Sequence, residues 1–98
     1  MAELNNILIK LKKQKSLLKK SYKVKNLGVF GSYSTGKQTE KSDLDILVEL
    51  SKPIGLLSYL TLEEKLSKYT GKKVDLVMKS ALKPKIGERI LDEVIYVK

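Results

Sequence analysis

Apolar residues recur at helical spacing in three segments of the chain, residues 3–20, 56–70 and 84–94. A repeat of three to four residues places these side chains on one face of a helix. The repeating positions are Leu4, Ile7, Leu8, Leu11 and Leu18 in the first segment, Leu56, Tyr59, Leu62, Leu66 and Tyr69 in the second, and Ile86, Ile90 and Val94 in the third. The pattern therefore predicts three amphipathic helices, the second of which stops at Gly71.

Shorter apolar runs rich in β-forming residues predict three buried strands, at residues 24–30, 43–50 and 72–78. The first two would form a hairpin-like pair across a polar loop. We expect a turn or short helix at residues 80–84, and residues 95–98 could add a last edge strand. This order predicts an α/β (α+β) fold in which a small mixed sheet packs against helices.

Length and composition narrow the function classes. Ninety-eight residues suffice for one hydrophobic core, so we expect a single domain over residues 1–98. The chain has no Cys and no His, which excludes disulfides, thiolate nucleophiles, imidazole bases and Cys/His zinc sites. Any bound metal must then be held by oxygen. No run approaches the roughly 18 apolar residues that span a bilayer, and the first residues are too polar for a signal peptide, so we expect a cytoplasmic protein.

The charge balance points to anionic partners. Lys and Arg number 20 against 11 Asp and Glu, a formal net charge of +9, and Arg89 is the only arginine. Such an excess favours nucleic acid, nucleotide phosphates or an acidic protein surface. The Lys-rich first helix could dock such a partner, or its lysines could simply be the solvated face of a packed helix.

Two carboxylates, Asp43 and Asp45, flank Leu44 at the start of the second predicted strand. Side chains alternate between the faces of a strand, so both carboxylates would point the same way, about 7 Å apart. Like charges at this spacing repel and lose hydration, so they need a cation, and Mg²⁺ is the natural oxygen-preferring one. Alternatively, the pair lies at the exposed start of the strand, solvated and without a role.

The polar loop before these acids begins with Gly31 and Ser32. A strand that ends in Gly-Ser presents backbone N–H groups and a hydroxyl, which can grip phosphate oxygens. Gly31 would let the backbone approach the ligand closely, and Ser32 would hydrogen-bond a terminal phosphate. Gly-Ser alone is a common turn dipeptide, and only together with the paired acids does it indicate a site for a nucleotide and a metal.

A third acid is expected for a site with two metal ions. Metal ions that bridge an attacking oxygen and a nucleoside triphosphate need a further ligand, and this ligand can also accept the proton of the nucleophile. Asp75 is the only carboxylate inside the third predicted strand, and strand pairing could place it beside the other two. It could instead be an edge-strand residue paired with a lysine. Glu49 lies about 13 Å from Asp45 at strand rise, so we discount it as a ligand.

Taken together, these residues resemble the minimal nucleotidyltransferases of the DNA polymerase β superfamily. The resemblance extends over nearly the whole chain and rests on three motifs: Gly31-Ser32-Tyr33-Ser34-Thr35-Gly36, Ser42-Asp43-Leu44-Asp45-Ile46-Leu47-Val48, and a strand Asp75. It implies that Asp43 and Asp45 ligate two Mg²⁺ ions and that Asp75 completes the catalytic site. It also implies that Gly31 and Ser32 hold the triphosphate of ATP.

Members of this size resemble the antitoxins of two-gene toxin–antitoxin modules. In that family the enzyme transfers AMP from ATP to a tyrosine hydroxyl of its partner, a helical HEPN-type ribonuclease toxin, and thereby silences it. The resemblance implies the same protein adenylyltransferase activity for this chain. The loop departs from the family pattern at Thr35, where an arginine is common.

Two other functions stay open from the residues alone, namely a non-catalytic antitoxin and a nucleic-acid-binding regulator that uses the basic surface. The presence of all three acids favours the enzyme over the first. The lack of a helix-turn-helix signature and of base-stacking aromatics weighs against the second. Tyr33, inside the loop, could pack on a nucleotide or fill a gap in the protein.

Overall fold

Helices and strands alternate along residues 2–98, the part of the chain that this computed structural model describes. They are α1 (Ala2–Tyr22), β1 (Val24–Phe30), α2 (Ser32–Thr35), β2 (Leu44–Leu50), α3 (Leu56–Thr70), β3 (Val74–Met78), α4 (Pro84–Glu93) and β4 (Ile95–Tyr96). A single 3₁₀ turn, Lys79–Ala81, joins β3 to α4. The three predicted helices, the three strands and the closing edge strand are confirmed.

The strands form one mixed sheet in the order β3-β2-β1-β4. β1 pairs antiparallel with both β2 and β4, which confirms the hairpin-like pair. β2 pairs parallel with β3, and α3 provides the crossover that a parallel pair requires. No helix within residues 2–98 is long and apolar enough to cross a membrane.

Alternation along β2 divides the buried side chains between the two faces of the sheet. Leu44, Ile46 and Val48 point into the main core, which the apolar faces of α1 and α3 complete. Leu47 is buried on the opposite face together with Phe30. We call this second face, which carries Leu47 and Asp45, the site face.

α4 lies at the site face and differs from its prediction. The apolar positions were predicted on one face of the helix; Ile90 and Val94 are half-buried, whereas Ile86 is 62% exposed. Ile86 lies in the first turn of α4, and it is the other end of the helix, at Val94, that packs against Gly28 of β1. A cleft lies between α4 and the loop that follows β1.

Candidate active site

Two of the predicted acids lie side by side on neighbouring strands. Asp45 in β2 and Asp75 in β3 are direct partners in the parallel register. Residues paired in this way point to the same face of a sheet, and their neighbours Ile46 and Leu76 are buried on the other face. Within residues 2–98, no ion pair includes Asp75, so the alternative of a lysine-paired edge residue is not what the structure shows.

Asp43 lies just before β2 and is exposed. The strand begins one residue later than predicted, because Ser42 still closes the preceding turn with Thr39. Leu44 is the first strand residue, and its N–H donates to the Lys73 carbonyl at 2.8 Å. Asp43 is therefore held at the entrance to the strand.

The carboxylates at this end of the site face influence one another. Burial, followed by the negative charges of Asp75, Asp43 and Glu93, raises the pKa of Asp45 from 3.8 to about 6. Asp75 and Asp43 were predicted, whereas Glu93 comes from α4 and was not singled out. These carboxylates repel one another when they are charged. A bound cation would remove this repulsion and stabilise their charged forms.

We expect Asp45→Asn to stabilise the metal-free protein near neutral pH. Because the folded pKa of Asp45 is raised, its protonated form favours folding; this stability is fully present below the unfolded value of 3.8 and is lost as the pH rises through about 6. With allowance for solvent screening, the variant should gain roughly 1 kcal/mol in free energy of unfolding at neutral pH. Urea denaturation with EDTA, at a series of pH values, measures the difference. A variant that is clearly less stable than the wild type would instead mark Asp45 as a structural residue.

The donor set suits a hard divalent cation. Among residues 2–98, no three acidic side chains are already gathered closely enough to hold a metal ion. Asp43 and Asp75 are exposed, however, so their side chains can turn toward Asp45 without disturbing the core. Carboxylate oxygens are the ligands that Mg²⁺ prefers. The chemistry of these residues therefore fits Mg²⁺.

Gly31 brings the polar loop directly against Asp45. Its backbone angles, φ +74° and ψ −147°, are rarely adopted by residues with a side chain. A Cβ at this position would overlap Asp45 Oδ2 and lie 3.1 Å from Asp45 Cγ. Glycine is needed both for the backbone conformation and for the close approach.

The Gly31 carbonyl also anchors the loop. It accepts hydrogen bonds from the backbone N–H groups of Ser34 and Thr35, at 3.1 Å each, and from their hydroxyls, at 2.9 and 3.1 Å. The N–H groups of Ser32 and Tyr33 come too early in α2 to have an acceptor within the helix. Tyr33 is buried, with 2% of its surface exposed, and so it fills the core beneath the loop.

A cleft of about 240 Å³ opens beside this loop. Its lining combines Gly31, Ser32, Thr35 and Lys37 of the loop with Arg89 and Glu93 of α4. The residues of α4 were missed in the sequence because they lie far along the chain. The one available signal was that Arg89 is the only arginine.

Glu49 contributes to another part of the site face. It accepts a hydrogen bond from Asn26 Nδ2 at 2.9 Å, and it lies 3.9 Å from Lys79 Nζ. Asn26 and Lys79 thereby hold the carboxylate that we discounted as a ligand.

The family described as "Nucleotidyltransferase domain" matches residues 11–97. This segment contains the loop, Asp43, Asp45 and Asp75. The chain belongs to the nucleotidyltransferase family. The resemblance noted in the sequence is therefore confirmed, and the cleft and acids described above lie in a nucleotidyltransferase.

Two archaeal relatives have nearly the same length as this nucleotidyltransferase. It is 44% identical over 97 residues to the protein adenylyltransferase MntA of Thermococcus cleftensis, an alignment that covers 99% of this chain and 95% of the relative. It is 50% identical over 88 residues to a Methanocaldococcus jannaschii protein that carries the provisional name of a protein adenylyltransferase, covering 89% and 90% of the two chains.

A solved structure shares the fold. The nucleotidyltransferase superposes with a TM-score of 0.74 and 27% identity on a chain of a toxin–antitoxin crystal structure with AMP-PNP. The match covers 91% of the nucleotidyltransferase and 72% of that chain.

Proposed function

We propose that this nucleotidyltransferase is a Mg²⁺-dependent protein adenylyltransferase that moves AMP from ATP to a tyrosine hydroxyl of a partner HEPN-type ribonuclease toxin, and so acts as its antitoxin. The observation that carries the proposal is the pairing of Asp45 with Asp75 beside the Gly31 loop. A named protein adenylyltransferase among its relatives, and an AMP-PNP-containing toxin–antitoxin structure with the same fold, support the substrate and the partner.

Asp43, Asp45 and Asp75 are the proposed metal ligands and catalytic residues. Two bound Mg²⁺ ions would supply positive charge for the triphosphate and for the oxygens that attack and leave. Asp43 and Asp75 are both exposed, and Asp75 lies on the edge strand, where a tyrosine of another protein can reach it. The chain has no His or Cys to accept the tyrosine proton, and a carboxylate near the metal ions is suited to do so; Asp75 is our candidate.

Gly31 and Ser32 are the proposed nucleotide-binding residues. The cleft beside them has room for phosphate groups, and the Ser32 hydroxyl and loop N–H groups are suitable donors. In the reaction the tyrosine oxygen forms a bond to the α-phosphorus of ATP and the bond from that phosphorus to pyrophosphate breaks. Pyrophosphate leaves, and the tyrosine proton passes to the carboxylate.

We further propose that residues 1–98 act as one minimal nucleotidyltransferase domain. The packing of α1 and α3 against a single core supports this. The cytoplasmic location stays a prediction from the sequence, in keeping with the use of ATP.

We expect the protein, incubated with ATP, Mg²⁺ and a HEPN-type toxin, to attach AMP to a toxin tyrosine. Intact-mass spectrometry of the toxin measures the added AMP, and fragmentation of its peptides locates the tyrosine. EDTA should abolish the added mass, since without the metal ions the carboxylates repel the negatively charged triphosphate.

The competing functions give different results in the same experiment. Neutralisation of the toxin with no added mass, and equally by Asp43→Asn, would show that the protein acts by binding alone. Binding to nucleic acid without any effect on the toxin would favour a regulator that uses the basic surface.

A further inference from the structure

We propose that Arg89 of α4, together with Lys37 of the loop, binds the triphosphate of the nucleotide. The inference rests on the function proposed above, since it concerns the same cleft. It assigns a role to a helix that lies outside the three sequence motifs.

The cleft lining contains positive charge that can balance a bound phosphate group. The lining has two cations, Lys37 of the loop and Arg89 of α4, and one acid, Glu93; its other residues are uncharged. A triphosphate carries several negative charges, which the single loop cation Lys37 cannot balance by itself. Arg89 is suited to this task because its planar guanidinium can donate two parallel hydrogen bonds to phosphate oxygens.

The present contacts of Arg89 allow it to take a ligand. Its side chain is 83% exposed, and its one ion pair among the described residues joins Nε to Glu93 Oε1 at 3.4 Å. An exposed pair within one helix contributes little to stability. The guanidinium can therefore turn from Glu93 to a phosphate at small cost.

Glu93 is paired with Arg89 and lines the same cleft. The Glu93 side chain is only 23% exposed, it lines the cleft, and its charge reaches Asp45. A carboxylate there would repel a triphosphate unless a cation balances it. Arg89 thus has two effects in the cleft, since it offsets the charge of Glu93 and supplies donors for the phosphates.

We expect Arg89→Met to weaken binding of AMP-PNP by about 10- to 100-fold, the range for loss of a charge-assisted contact. Binding of AMP, which lacks the β- and γ-phosphates, should weaken by no more than about threefold. Arg89→Lys keeps the positive charge but loses the paired donors of the guanidinium, so its affinity for AMP-PNP should be intermediate. Glu93→Gln should bind AMP-PNP at least as tightly as the wild type. Isothermal titration calorimetry with Mg²⁺ measures all four proteins.

Lys85→Met is the matched control. Lys85 lies on the same helix, is exposed and is outside the cleft lining, so the substitution removes the same charge from a different place. Its affinity for AMP-PNP should stay within about twofold of the wild type. Thermal melting confirms folding of each variant, and no change is expected for so exposed a side chain as Arg89.

The outcomes separate this inference from the proposed function. Tight AMP-PNP binding by Arg89→Met, an equal loss in Lys85→Met, or an equal loss for AMP would each overturn the role of Arg89 while leaving AMP transfer by the wild type intact. Failure of the wild type itself to bind AMP-PNP would instead overturn the proposed function, and this inference with it.

Discussion

Asp45→Asn is expected to lower the rate of AMP transfer to the toxin by at least about 1000-fold, equivalent to about 4 kcal/mol of transition-state stabilisation. The substitution keeps the shape of the side chain and removes the charge at the point where Asp43, Asp75 and Glu93 all act on it. A neutral amide cannot hold a divalent cation as a carboxylate does. Initial rates of AMP incorporation, measured by mass spectrometry with saturating ATP and Mg²⁺, test this expectation.

Substitutions of the other two site acids, and of one acid outside the site, test the same assignment. Asp43→Asn and Asp75→Asn should also lose activity severely, whereas Asp92→Asn, which alters an exposed acid of α4 outside the cleft lining, should retain it. Binding of the toxin should survive in every variant, which separates catalysis from docking. Retention of a large part of the wild-type rate in Asp45→Asn would contradict the assignment of this residue to the metal site.

Gly31→Ala is expected to lower AMP transfer by about 100-fold and to destabilise the protein by roughly 1–3 kcal/mol. The stability loss follows from the backbone angles of Gly31, which disfavour any side chain. The activity loss follows from the new methyl group, which would occupy the position of Asp45 Oδ2 and force the carboxylate away from the site. Rates of AMP transfer and urea denaturation, measured on the same preparation, give both quantities.

Gly36→Ala separates the two effects. Gly36 also has a positive φ, +77°, but no heavy atom outside its own neighbours lies within 4 Å of the position of its Cβ. We expect a loss of about 1 kcal/mol in stability, from the left-handed conformation alone, and nearly unchanged AMP transfer. Equal rates in the two alanine variants would show that the close approach of Gly31 to Asp45 has no part in catalysis.

Local patterns were sufficient to predict most of the fold. The helical repeat from Leu56 to Tyr69 corresponds to α3, and the strand predicted at residues 43–50 corresponds to β2, which begins one residue later. Periodicity indicates these elements because burying one face of a helix or strand is the dominant local demand on the sequence. The prediction was less accurate for α4, where Ile86 stays exposed, since how much of a helix face is buried depends on what the sheet presents to it.

Part of the candidate site could likewise be predicted from local sequence, and part depends on contacts between distant residues. The sequence alone determined that any metal site must have oxygen ligands, that only Leu44 separates Asp43 from Asp45, and that a loop beginning with Gly31 precedes them. Tertiary structure decided that Asp75 pairs with Asp45, and that Arg89 and Glu93 line the cleft. Strand register and helix placement arise from burial summed over the whole core, between residues far apart in the chain, and no short stretch of sequence carries that information.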